Sequence, residues 1–197
     1  MQRSPLTRPS LLFQIRDAEN QQAWNQFVDI YAPLIHRFAC RSGLQDADAA
    51  DLTQEVLQSV HGAIGRLDYD PQRGTFRSWL FTVARNHIKN FLKRQSRHPR
   101  GTGDTQIKRV LEDQPDGTDD LEARWENDYE QRLFHWAADK IRQDFQPQTW
   151  RAFWQTAVAG QSAREVAETL SMSVGAVYVA KSRVMAGLKE QIDQIEQ

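Results

Sequence analysis

Leu52, Val56, Val60 and Ile64 recur every four residues, with Leu67 closing the row. That spacing predicts a helix from about Asp48 to Leu67 with one apolar side. The same rhythm precedes it, in Ala23, Trp24, Phe27, Ile30, Tyr31, Leu34, Ile35 and Phe38. It also follows it, in Trp79, Leu80, Val83, Ala84, Ile88, Phe91 and Leu92. Alternating runs of β-branched residues bounded by tight-turn pairs are nearly absent, so the expected fold class is all-α.

Punctuation divides the chain. Residues 1–16 read as a polar N-terminal tail, and residues 17–95 as a first helical block. Inside that block Pro33 is expected to kink or break a helix, Gly43 to end it, and Asp68 to Gly74 to form a loop around Pro71 and Gly74. Residues 96–120 are rich in Gly, Pro and charge and read as a flexible linker. Residues 121–197 form a second helical block, split at Pro147 and followed by the aromatics Trp150, Phe153 and Trp154. Two small helical domains on a flexible tether are therefore expected. No apolar run nears the ~20 residues that span a bilayer, and no export signal is read. Cys40 is the single cysteine, which rules out an internal disulfide and suits the cytoplasm.

A net charge of −1 hides strong local blocks. From Arg66 to Arg109 there are eleven Lys or Arg against three Asp or Glu, a balance of +8. From Val110 to Glu130 there are nine Asp or Glu against Arg124 alone, a balance of −8. One stretch suits a polyanion and the next repels it. Within the basic stretch, Arg85, Lys89 and Lys93 recur every four residues, flanked by Asn86 and Asn90, and no acid falls between Gly74 and Gly103. A cationic stripe with amides beside it suits phosphates and some base edges, and Phe76 at its entry could stack on an unpaired base. A solvated face over a core face is the plainer alternative.

The C-terminal block carries a helix-turn-helix pattern. Ser162 and Glu165 can form a capping box, Val166, Ala167 and Leu170 an inner face, Ser171 and Met172 a turn, and Ser173 a second cap. Val177, Ala180 and Val184 would face inward. Ala176, Tyr178, Val179, Lys181, Ser182 and Arg183 would lie between them on a groove-facing surface. Ser171 stands where glycine commonly eases a left-handed backbone. An ordinary helical hairpin has the same pattern.

Enzymatic chemistry finds little support. The five histidines (His36, His61, His87, His98, His135) are scattered and read as having no H-x-x-x-H or Cys/His metal spacing, so no metal or cofactor is expected. No phosphate-binding glycine loop or nucleophile elbow appears. Asp46, Asp48 and Asp51 lie close enough for a metal-dependent nuclease to be conceivable.

In order along the chain, four stretches resemble the extracytoplasmic-function (ECF) class of bacterial sigma factors. Ala23-Trp-Asn-Gln-Phe27 with Tyr31-Ala-Pro-Leu-Ile35 resembles the start of its region two. Asp46 to Val56, reading DADAADLTQEV, resembles the polymerase-binding helix, and Gly74 to Arg94 the promoter-melting segment. Gln161 to Leu188 resembles the region-four helix-turn-helix.

The resemblance implies a promoter-recognition subunit and not an enzyme. Region two would occupy residues 17–95 and region four residues 121–197. Asp51, Gln54, Glu55 and Gln58 would dock on the clamp coiled coil of the polymerase's largest subunit. Arg77, Arg85, Lys89, Lys93 and Arg94 would hold phosphates of the melted −10 element, and Asn86 a base. Tyr178, Val179, Ser182 and Arg183 would meet the −35 element, with Arg164, Lys181 and Lys189 on phosphates. An anti-sigma protein is a possible further partner. Tyr178 and Ala180 replace residues commonly basic in the family, so the promoter sequence does not carry over. The alternative is a stand-alone helix-turn-helix regulator with a sensory helical N-terminal domain.

Overall fold

In this computed structural model the described residues are 11–66, 75–96 and 115–196, and among them every regular element is helical. The elements are α1 (Leu11–Gln14), α2 (Gln21–Arg41), α3 (Asp46–Ile64), α4 (Phe76–Ser96), α5 (Pro115–Ile141), α6 (Pro147–Phe153), α7 (Ala163–Leu170) and α8 (Val174–Glu196). The expected loop at Asp68–Gly74 and most of the expected linker lie outside the described residues. No helix among the described residues is long and apolar enough to cross a membrane.

The chain separates into two compact units, one of Leu12–Arg132 and one that includes Leu133–Gln197. In the first, α2 is capped by Asn20, whose side chain accepts from the Ala23 N–H at 3.1 Å. It ends as Gly43 turns into the left-handed region at φ 96°, while the N–H groups of Leu44 and Gly43 return to the carbonyls of Ala39 and Cys40. Asp46 and Asp48 occupy the first turn of α3, where a helix favours negative charge.

Pro33 neither breaks nor ends α2, which runs unbroken from Gln21 to Arg41. A proline at 33 removes the N–H that would bond the Asp29 carbonyl four residues earlier. Arg132 of α5 supplies the donor instead, with Nε at 3.2 Å and Nη2 at 2.6 Å from the Asp29 oxygen. Arg132→Ala should lower stability by about 0.5–1 kcal/mol. The loss should shrink in a Pro33→Ala background, where the helix regains its own donor. Urea denaturation of the four proteins in that cycle measures the coupling.

Phe27, Ile30 and Ile35 of α2, Val56 and Val60 of α3, and Leu80, Ala84 and Ile88 of α4 are fully buried and form the centre of this unit. Helix α4 also buries Phe81, which the spacing argument left out. Its ring meets Phe38 at 5.3 Å and Trp125 of α5 at 5.9 Å. Phe76 is likewise buried, among Phe27, Tyr31 and Trp79 at 5.3–5.9 Å, and is not a base-stacking platform on the surface.

The covering element is α5. Composition places the linker up to residue 120 and the second domain from 121, whereas helix starts at Pro115 and residues up to Arg132 pack on the first unit. Trp125 and Tyr129 enter its core, Tyr129 stacking on Tyr31 at 5.5 Å. Asp128 bonds both Arg37 and Arg41, and Glu122 accepts from the Ser78 hydroxyl. The acidic block therefore folds against basic residues of the preceding helices.

In the second unit, Leu133, Trp136, Ala137 and Ile141 at the end of α5 are buried, as are Ala152 and Phe153 of α6. Ala152 joins Val166, Ala167, Val177 and Ala180 in one apolar cluster. Phe145 fills the space over Gly187, where an added Cβ would stand 3.2 Å from the ring.

Candidate nucleic-acid and polymerase interface

Asp51, Gln54, Glu55 and Gln58 are exposed on α3, while Leu52, Val56 and Val60 between them are buried. The alternation follows from helical geometry, since positions three and four apart share a side. Glu55 meets His87 of α4 at 3.5 Å, and the other His87 nitrogen lies 3.0 Å from the Ser59 hydroxyl. The acidic edge of α3 is thus tied to α4. Gln54 and Gln58 also line a groove of about 480 Å³ with Trp24, Val28, Leu57 and His61.

Helix α4 starts as the Thr75 hydroxyl accepts from the Ser78 N–H at 3.1 Å. Asn86, Asn90, Lys93 and Arg94 are exposed and Arg85 and Lys89 half-buried, while Ala84, Ile88 and Leu92 face the core. Arg85, Lys89 and Lys93 each have partners within the protein. The expected stripe is therefore a surface feature, banked at its first two positions by packing.

Arg77 does not join it. Its Nε donates to Glu126 at 2.8 Å and its guanidinium lies 4.7 Å over the Tyr129 ring. Burial alone would lower its pKa, but the Glu126 charge and hydrogen bond, with Tyr129 and Tyr31, hold it above its ordinary value. Arg77 anchors α5, a role hidden from sequence because Glu126 and Tyr129 lie beyond the supposed linker.

The helix-turn-helix forms as its residues predict. Ser162 accepts from the Glu165 N–H at 3.3 Å, and the Glu165 carboxylate accepts from the Ser162 N–H at 2.9 Å. That backbone bond, with a second from the Ser162 hydroxyl, holds the Glu165 carboxyl below the usual carboxylate range. Ser171 takes the left-handed conformation at φ 52°, ψ 46°, and the Met172 N–H returns to the Ala167 carbonyl at 2.9 Å. A serine there bears the strain a glycine escapes. Ser171→Gly should stabilise this unit by up to about 1 kcal/mol, read as a higher denaturation midpoint.

Ser173 caps α8 through the Ala176 N–H at 3.1 Å. Val177, Ala180, Val184 and Leu188 are buried along α8, and Tyr178 and Val179 are 60% and 58% exposed. Ser182, Arg183 and Lys189 share that open side, and Arg164 is exposed on α7, though drawn to Glu168 at 3.5 Å. Lys181 is half-buried on the flank of α8, apart from Val179 and Ser182. An exposed tyrosine and valine on a capped helix that crosses a short partner can enter a groove and meet base edges.

Known proteins are similar to this chain in sequence. The profile of the sigma-70 region 2 family matches residues 27–98, which hold α3 and α4. The chain is 30% identical over 90 residues, 46% of its length, to the ECF RNA polymerase sigma factor RpoE of Cereibacter sphaeroides. It is 26% identical over 190 residues, 91% of its length, to the ECF RNA polymerase sigma factor SigE of Mycolicibacterium smegmatis. Over residues 27–98 the chain is thus similar to sigma-70 region 2, and the two relatives it resembles are ECF sigma factors. The matches span 48% of the first relative's own length and 65% of the second's.

A solved structure of CnrH in complex with the cytosolic domain of CnrY aligns with 93% of this chain and 95% of that one, at 22% identity and a TM-score of 0.36. The residues matched to sigma-70 region 2 lie in the unit that carries the acidic and amide edge of α3 and the cationic side of α4.

Proposed function

We propose that this protein is a sigma factor, a cytoplasmic binding subunit and not an enzyme, that directs RNA polymerase core to specific promoters. The observation that carries the reading is the pairing, in one family-matched unit, of an exposed Asp51-Gln54-Glu55-Gln58 edge with the exposed Asn86, Lys93 and Arg94 of α4. The first would dock on the clamp coiled coil of the largest polymerase subunit. The second, with Arg85 and Lys89, would hold the phosphates of a melted −10 strand, Asn86 meeting a base.

Strand opening costs a few kcal/mol for each base drawn out of the stack, which several phosphate contacts together can offset. Arg77, held by Glu126 and Tyr129, is left out of this set. Tyr178, Val179, Ser182 and Arg183 of α8 would enter the major groove of the −35 element, with Arg164, Lys181 and Lys189 reaching phosphates at its edges. An anti-sigma protein would be a further partner of such a subunit.

Run-off transcription with core polymerase on a genomic promoter library tests the proposal. Discrete starts that require this protein are expected, together with weak duplex binding when polymerase is absent. Tight sequence-specific duplex binding by the protein alone, with no starts in the presence of core, would overturn it in favour of a stand-alone regulator.

A further inference from the structure

Three ligand-type side chains that the function above does not use converge where α2 turns into α3. His36 and Cys40 lie four residues apart on α2 and so share one side of the helix. The expectation of no Cys/His metal spacing overlooks this His-x-x-x-Cys pair and is corrected by the geometry. Asp46, at the first position of α3, completes the group. The Cys40 sulfur stands 3.8 Å from His36 Nδ1 and 4.0 Å from Nε2, and Nε2 stands 3.3 Å from Asp46 Oδ1. One ligand atom from each residue lies within 4.8 Å of the others. Around a tetrahedral zinc ion, sulfur and nitrogen ligands are about 3.5 Å apart, close to the Cys40–His36 spacing observed.

We propose that His36, Cys40 and Asp46 form a binding site for a divalent transition-metal cation of the zinc class. A thiolate with an imidazole selects such a borderline ion over magnesium or calcium, which require oxygen ligands. Three protein ligands leave one position of a tetrahedral ion to water. Cys40 and His36 are partly shielded and fixed by α2, His36 being 33% exposed, whereas Asp46 is 93% exposed and free to swing in. Burial, with a smaller effect of Asp46, pushes the Cys40 thiol up. A bound cation reverses that balance, and the thiol proton leaves for solvent on coordination. The ion would staple the end of α2 to the start of α3 across the Ser42–Gln45 turn. Whether the chain acts with polymerase has no bearing on this site.

Titrating the full-length reduced protein with cobalt(II) tests it. Saturation at one equivalent should produce a thiolate-to-cobalt charge-transfer band and tetrahedral d–d bands, both displaced by zinc and unaffected by excess magnesium. Zinc should also raise the melting temperature of the wild type. Cys40→Ser should abolish the band. His36→Gln and Asp46→Asn should each weaken binding by at least about tenfold, the lower bound for loss of even an outer-shell partner. If Cys40→Ser does not fold, those two conservative variants decide. No band at stoichiometric cobalt, or a band of unchanged affinity in both His36→Gln and Asp46→Asn, would overturn the proposal. The latter result would mark a simple thiol adduct.

Discussion

Trp125→Ala should destabilise the first unit by about 3–5 kcal/mol, the range for emptying a buried aromatic site. The indole is 1% exposed and lies between Phe38 and Phe81, at 5.5 and 5.9 Å. Its Nε1 is buried with no hydrogen-bond partner among the described residues, so apolar packing is what the ring contributes there. The cavity would also weaken the hold on its helical neighbours Glu126 and Asp128, loosening their bonds with Arg77, Arg37 and Arg41. Urea denaturation measures the loss, with the exposed neighbour Ala123→Ser as a near-neutral control. A change under 1 kcal/mol would mean that residues 120–132 do not cover this unit in solution.

Charge reversal at Lys93 and Arg94 should have the largest effect on activity. Both are exposed at the end of α4, away from Ile88 and Leu92 of the core, so Lys93→Glu/Arg94→Glu should fold normally. Taking one cation away from a phosphate of a single strand flattens the salt dependence of binding by about 0.7 in log–log slope. The double variant should therefore lose about 1.4 in slope and about tenfold or more in promoter opening at moderate salt. Permanganate footprinting of the melted strand across a salt series checks both numbers. An unchanged slope would place the DNA elsewhere. Docking on core should be unaffected, because Asp51, Gln54, Glu55 and Gln58 lie on α3.

Much of the fold is readable from residue spacing. The four-residue rows of α3 and α4 are buried faces, and the Ser162–Glu165 box and the Ser173 cap form as written. Those features are local, set by neighbours within one or two turns. What escapes sequence reading depends on residues far apart. Pro33 looks like a break because its compensating donor, Arg132, lies 99 positions later. Residues 115–120 resemble a disordered linker because an acidic, glycine-containing run has little reason to be helical alone. Tertiary packing of Trp125, Tyr129 and Asp128 supplies that reason. Arg77 reads as a DNA ligand for the same cause, since its true neighbours are hidden past the apparent boundary. The His36–Cys40–Asp46 group escapes because its third member comes from the next helix.

Helix α5 gives its residues through Arg132 to one unit and those from Leu133 onward to the other. Dissection experiments must respect that division. A recombinant fragment that stops at residue 95, where composition invites the cut, would leave Phe38, Phe81 and Tyr31 without their aromatic lid. Such a piece should precipitate or self-associate and give misleading affinities. Extending it past Arg132 keeps the lid, and both fragments can be compared by light scattering.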